Sequence, residues 1–388
     1  MNDSGTRQVA LYDTTLREGG QAPGVNLDAQ AKVRLARALV ATGAYAIEAG
    51  YPMTSPGEFE AVHAVAGEVG DSVIVAALAR ANRIDVTRAN AALAGAARPR
   101  ITVFVQVSEI QARAAGLTLD QMAQRARESV ARARDLVADV QLSLGDVPRA
   151  RPGFVAELAR AGAEAGAGTI SLVDSAGVAT PEEIGRAVSG VREALAGLPT
   201  AVSVHCHDDL GLATANAFAA VLAGADQVEC SVNGVGERAG NTALEEIAVL
   251  LRVKGPAHGV DCAVHPADLA PASAVVEQAT GYSVSWNKAV VGRHAFVHSA
   301  GVHQDAVLAD DSSYGALGSV FGAAPGLALG KHTSLAGLRA ALAASGAAPT
   351  TRELADAYRR LKELADAGRS PLTLADLLPA ADSGRSGR

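Results

Sequence analysis

The chain alternates short β-branched or apolar runs with longer Ala-rich segments of helical period, eight times over, before the pattern stops. The runs lie at 9–12, 46–49, 73–78, 101–107, 140–144, 169–173, 202–205 and 227–232. The helical segments lie at 28–42, 56–69, 85–94, 119–136, 152–165, 181–196, 212–223 and 242–253. Thr180-Pro181-Glu182-Glu183 sets an N-cap, a first-turn proline and acids in order, and Ser55-Pro56-Gly57-Glu58 does the same. Eight strand–helix units ending near residue 254 predict an α/β fold, a (β/α)8 TIM barrel over 1–255. An open doubly wound sheet is the competing arrangement. It would carry a glycine fingerprint straight after the first strand, and none is there. Gly255-Pro256 breaks the pattern, and 256–378 reads as a smaller, mostly helical linker and lid that completes the active site. The polar end, 379–388, is expected to be disordered.

Composition narrows the function classes. The net charge is −7 and no Lys/Arg run occurs, which argues against nucleic acid as a partner. No apolar stretch of about 18 residues is long enough to span a membrane. Residues 1–8 lack the apolar core of a signal peptide. Cys206, Cys230 and Cys262 are odd in number and show no paired spacing, as expected of a reducing cytoplasm.

A barrel of this kind carries its chemistry at the C-terminal ends of its strands. After the first strand comes Asp13-Thr14-Thr15-Leu16-Arg17-Glu18-Gly19-Gly20-Gln21, dense in polar groups; taken alone it could be a surface turn with a salt bridge. The seventh ends in His205-Cys206-His207-Asp208-Asp209. Alternate side chains of a strand share a face, so His205 and His207 point the same way and can chelate one divalent cation. The alternative is a hydrogen-bond network at the barrel mouth, but two histidines at strand period followed by two acids favour a metal. After the eighth comes Asn233-Gly234-Val235-Gly236-Glu237-Arg238-Ala239-Gly240-Asn241, a glycine-rich loop carrying an acid, a base and two amides. Glu48, Asp146 with Arg149, and Asp174 with Ser175 occupy other strand ends, as caps, ion pairs or orienting groups. The fork of Arg149 suits a carboxylate, and Arg80 is a second candidate. The C-terminal region adds His294, His298, His303, Tyr314 and His332; a His-rich segment outside a barrel can lid its mouth and supply a base.

These motifs resemble those of the homocitrate synthase and 2-isopropylmalate synthase family. Asp13 to Gly19, His205 to Gly211 and Gly234 to Asn241 are similar to its three ordered signatures. Ser299 to Asp305 and Leu329 to His332 are similar to its later motifs, and Glu48 to Pro52 with Ser55 to Glu60 look closest to the isopropylmalate branch. The match runs from about residue 9 to 345. The resemblance implies condensation of acetyl-CoA with a 2-oxo acid, followed by thioester hydrolysis, in a homodimer with shared active sites. It implies Glu18, His205 and His207 as ligands of a divalent metal (Mg, Mn or Zn), with Asn241 a ligand or close by. It implies Arg17 for the growing oxyanion, and His303, assisted by Glu237 and Tyr314, for the acyl α-proton. Gln21, Arg80, Arg149 and Ser175 would hold the oxo acid.

Three positions depart from the family pattern: Gly20 replaces a glutamate, Gly145 an acid, and Ser175 a threonine. The expectation is a less negative, roomier pocket. The substrate would be bulkier or more anionic than 2-oxoisovalerate: oxaloacetate, 2-oxoglutarate or a phosphonate analogue. The expectation is also a short form without the leucine regulatory domain of long isopropylmalate synthases, as in homocitrate synthases and secondary-metabolism members such as phosphonomethylmalate synthase. The alternatives are an isopropylmalate synthase using 2-oxoisovalerate, a cleaving lyase of the 3-hydroxy-3-methylglutaryl-CoA type, an iron oxygenase and an inactive binding protein. The lyase's cysteine-bearing loop is absent, because 235–241 contains no Cys.

Overall fold

The computed structural model describes residues 5–314, 317–320 and 326–377. The expected tail, 379–388, lies outside the described residues. Eight parallel strands form the barrel: β1 (Arg7–Asp13), β2 (Ala46–Gly50), β3 (Ile74–Arg80), β4 (Pro99–Gln106), β5 (Asp139–Gly145), β6 (Thr169–Asp174), β7 (Ala201–Cys206) and β8 (Gln227–Cys230). They are hydrogen-bonded in chain order, and β1 closes the ring by pairing with β8 and with β2. The helices are α1 (Ala29–Ala41), α2 (Pro56–Val69), α3 (Arg83–Ala92), α4 (Glu109–Ala114), α5 (Leu119–Arg134), α6 (Pro152–Glu164), α7 (Pro181–Ala194), α8 (Ala213–Leu222) and α9 (Leu244–Lys254).

The helix starts follow the sequence chemistry. Thr180 and Glu183 form a reciprocal capping box on α7, and the Ser55 hydroxyl accepts from the Glu58 amide at the head of α2. The eighth strand stops at Cys230, short of the expected 232, because Val232–Gly234 turns as a 3-10 helix. The short helix α4 follows β4 without having been anticipated.

The first compact unit runs to Val284, past the expected boundary at 255. Two elements carry it on. Strand β9 (Val260–Cys262) pairs in parallel with the start of β1, and α10 (Leu269–Thr280) buries Leu269, Ala272 and Val276. The second unit, from Ser285, contains the two-stranded pair β10 (Val297–His298) and β11 (Gly326–Leu327). Its helices are α11 (Gly301–Ala309), α12 (Leu317–Val320), α13 (Leu335–Ala344), α14 (Thr351–Asp366) and α15 (Leu374–Leu377). Its core is Leu338, Leu342, Leu354, Leu361 and Leu377, drawn from α13, α14 and α15.

The barrel interior is aliphatic but also holds a polar layer. Gln141, Ser171, Ser203, Gln227 and Glu229, on β5 to β8, are all buried and hydrogen-bonded to one another. A buried polar group needs such partners, and Arg100 completes the layer by donating to Gln227.

Candidate active site

The turn after β1 is built by its own side chains. The Asp13 carboxyl accepts from the Thr15 amide (2.8 Å) and the Thr15 hydroxyl (3.0 Å). The Thr15 oxygen in turn accepts from the Val232 amide (2.9 Å), tying this turn to the end of β8. Burial pushes the Asp13 carboxyl up to about 7. The turn delivers Arg17 and Glu18 to the mouth of the barrel. Arg17 donates from Nε to Glu48 Oε2 (2.6 Å) and pairs with Glu18.

His205, in β7, lies between two groups. Its Nδ1 is 2.9 Å from Glu229 Oε2, and its Nε2 is 3.1 Å from Asn241 Oδ1 and 3.6 Å from Glu18 Oε1. His207 Nε2 is 4.0 Å from the same Glu18 oxygen. Ligand atoms of Glu18, His205 and His207 all lie within 4.8 Å of one another, and all three side chains are buried. Burial opposes ionisation of Glu18, but Arg17, His205 and His207 hold its pKa down to about 2. Burial and the neighbouring His205 bring His207 down to about 3, so it is a neutral imidazole at ordinary pH. Burial works against protonation of His205 too, yet the Glu229 carboxylate raises it.

Asn241 is placed by backbone pairing with His207 and by Gly236. A Cβ at Gly236 would overlap the Asn241 side-chain amide. The glycine is therefore a requirement of close approach.

The cluster opens into a cavity of about 350 Å³ whose lining includes Arg17, Glu18, His205 and His207. A second cavity of about 550 Å³, reaching to Lys32 and Tyr51, shares Arg17 and Gln21 with the first.

The chain matches the HMGL-like family model over residues 8–276, and the model described as homocitrate synthase post-HMGL domain-like over 290–369. It is 41% identical over 371 residues to a protein named 2-isopropylmalate synthase from Acidimicrobium ferrooxidans, covering 94% of this chain and 72% of that protein. It is 42% identical to one of the same name from Nitrosococcus oceani, covering 92% and 71%. This chain belongs to the HMGL-like family. Among solved structures, hydroxymethylglutaryl-CoA lyase from Pseudomonas aeruginosa superposes with a TM-score of 0.63 at 24% identity, covering 74% of this chain and 98% of that one. That likeness concerns the fold.

This HMGL-like barrel brings together Arg17, Glu18, Gln21, Ser175, His205, His207 and Glu237 around one cavity, with Asn241 against His205. Arg80 and Arg149 do not line it. Arg80 pairs with Asp85 (2.8 Å), and Arg149 grips Asp146 with two hydrogen bonds of 2.7 and 2.9 Å. His303 and Tyr314 belong to the second unit, where their rings stack 4.2 Å apart.

Sequence reasoning passed over Glu229. Its one signal was an acid inside the eighth strand, level with His205 on the seventh and Tyr12 on the first. The room expected at Gly145 is taken up by Phe104 and Gln106, whereas the space beside Gly20 is open to within 4.0 Å of Leu27. Cys206, Cys230 and Cys262 are free thiols, all buried. Among the described residues no helix is long and apolar enough to cross a membrane.

Proposed function

We propose that this chain is a metal-dependent acyltransferase that condenses acetyl-CoA with a 2-oxo acid and then hydrolyses the thioester. The products are CoA and a 2-alkylmalate or homocitrate-type acid. The observation that carries the reading is the buried Glu18–His205–His207 cluster beside Arg17, in a chain 41% identical to a protein named 2-isopropylmalate synthase.

The donor set fits a divalent cation. Glu18 Oε2 and His207 Nδ1 are buried without a hydrogen-bond partner among the described residues. Three buried carboxylates, Glu18, Glu48 and Glu229, gather around the single guanidinium of Arg17. One carboxylate and two imidazoles suit Mg, Mn or Zn, and Asn241 Oδ1 adds an oxygen beside His205. When bound, the ion would supply Lewis-acid polarisation of the ketone.

The chain's own residues supply the rest. Arg17, fixed by Glu48, holds positive charge where the ketone oxygen gains negative charge. Gln21 and Ser175 line the cavity as hydrogen-bonding partners for the oxo acid's carboxylate. We assign acetyl-CoA to the adjoining cavity, because the shared Arg17 and Gln21 would bring the two reacting carbons close. His303, assisted by Tyr314 and Glu237, takes a proton from the acetyl methyl group. The resulting carbanion forms a bond to C2 of the oxo acid, and the alkoxide left there takes a proton. Water then cleaves the thioester, and CoA leaves as the thiol. A homodimer with shared sites and a cytoplasmic setting belong to the same proposal.

The test is free-thiol release from acetyl-CoA with Mg²⁺ or Mn²⁺ across a panel of 2-oxo acids. Release that depends on one acid, and that chelator and His205→Ala both abolish, is the expected result. Silence from folded, metal-loaded protein across the panel would overturn the reading.

A further inference from the structure

Strand β4 ends at Gln106 and β5 at Gly145, and the two residues are register partners. A side chain at 145 would collide with what already stands there. Its Cβ would lie 2.5 Å from Gln106 Oε1 and 2.7 Å from Phe104 Cζ. The Phe104 ring and the Gln106 amide lean over β5 and form that wall of the cavity. Phe104 supplies an apolar face. Gln106 supplies a half-buried amide whose Oε1 is shut off from solvent with no hydrogen-bond partner among the described residues. An acceptor shut off from solvent and left unpaired is unfavourable, so Oε1 calls for a donor, while the amide NH2 beside it is free to donate to a ligand in the cavity.

Two uncharged hydroxyls, Ser143 and Ser175, line the same cavity. The Ser143 oxygen accepts from Gln141, and the Ser175 oxygen accepts from the Asp146 amide. Each hydroxyl therefore keeps its own proton to donate. The cations nearby are committed: Arg238 grips Asp209 through two hydrogen bonds, and Arg17 is held by Glu48.

We propose that Gln106 reads the side chain of the 2-oxo acid and selects acids whose side chain ends in a hydrogen-bonding group over branched alkyl acids. This rests on the condensation reading above. The amide donates through its NH2 and accepts at Oε1, so the shared chemistry is a polar terminus: a carboxylate or phosphonate accepts from the NH2, and a carboxamide or hydroxyl can also donate to Oε1. A branched alkyl side chain offers the amide no partner and covers its NH2 while Oε1 stays unpaired, which sets the direction of discrimination.

The experiment uses the full chain loaded with Mg²⁺ or Mn²⁺, and two readouts. One is kcat/KM by thiol release from acetyl-CoA; the other is calorimetric binding of the oxo acid alone. Oxaloacetate, 2-oxoglutarate and phosphonopyruvate form the charged arm, 2-oxoglutaramate and 3-hydroxypyruvate the neutral arm, and 2-oxoisovalerate the alkyl arm. Wild type is expected to prefer one polar arm. Gln106→Leu should reduce the polar-over-alkyl ratio roughly 10- to 100-fold, and Gln106→Asn should reduce it less. A wild type that prefers 2-oxoisovalerate overturns the proposal, even if the leucine variant fails to fold. So does a ratio unchanged in a folded Gln106→Leu protein. Selective binding of a polar acid that Gln106→Leu removes, without thiol release, supports the role of Gln106 and sinks the condensation reading instead.

Discussion

Glu229 accepts hydrogen bonds on both oxygens: Gln141, Ser171 and Ser203 donate to Oε1, and His205 occupies Oε2. A carboxylate only accepts, so Nδ1 of His205 carries a proton and Nε2 is turned toward Glu18 and Asn241. Second partners of this kind tune a metal ligand, and their loss costs about 10- to 100-fold in affinity. Glu229→Gln is expected to weaken metal binding by that order, measured by calorimetry or equilibrium dialysis on folded protein. The pH dependence separates this from general damage. Wild-type metal affinity should fall as pH drops through the raised pKa of His205, because a proton then competes for Nε2; His207, at about 3, stays neutral. Without the carboxylate His205 loses its stabiliser, so the midpoint should move to lower pH while affinity falls. An unchanged midpoint would contradict the assignment. The two histidines were legible because they recur at strand period within three residues. Glu229 was not, since its partners lie 88, 58, 26 and 24 positions away, and only barrel closure makes them neighbours.

The elements that place these residues are strand ends and the loops after them, and their legibility varied with how local their cause is. The caps of α2 and α7 are made by residues three apart, so the sequence pattern predicted them. Strand β9 has three residues and exists by pairing with β1, which no local pattern announces. The loop after β8 lies between these cases. Its glycines marked a special backbone, but the reason for Gly236 is the Asn241 amide that packs where a Cβ would stand. Gly236→Ala is therefore expected to push Asn241 away from His205. Overpacking of this kind costs about 1–3 kcal/mol. Thermal unfolding should register the loss, and metal affinity should fall with it. A variant of wild-type Tm and metal affinity would show that the loop relaxes freely and that Asn241 is not held by its glycine.

At the scale of the whole molecule, the residues proposed for the reaction fall in two separate units. Arg17 and the Glu18–His205–His207 cluster lie in the first, and His303 and Tyr314 lie in the second. The second unit holds α11 through Gln304, whose buried amide donates to the His298 and Ala328 carbonyls and accepts from the Ser334 amide. With Gln304 turned inward, His303 faces outward and is exposed, stacked on an exposed Tyr314. A base presented on the outside of its own unit serves a substrate held elsewhere, and a symmetric dimer with shared sites meets that condition. Arg17→Ala and His303→Ala are each expected to be inactive alone. Under subunit exchange, half of the dimers become mixed. In a mixed dimer one site carries both lesions and the other neither, so activity should recover to about a quarter of wild type. If each chain builds its own site, every site keeps a lesion. Proven exchange without recovery would then assign His303 to the chain that also supplies Arg17.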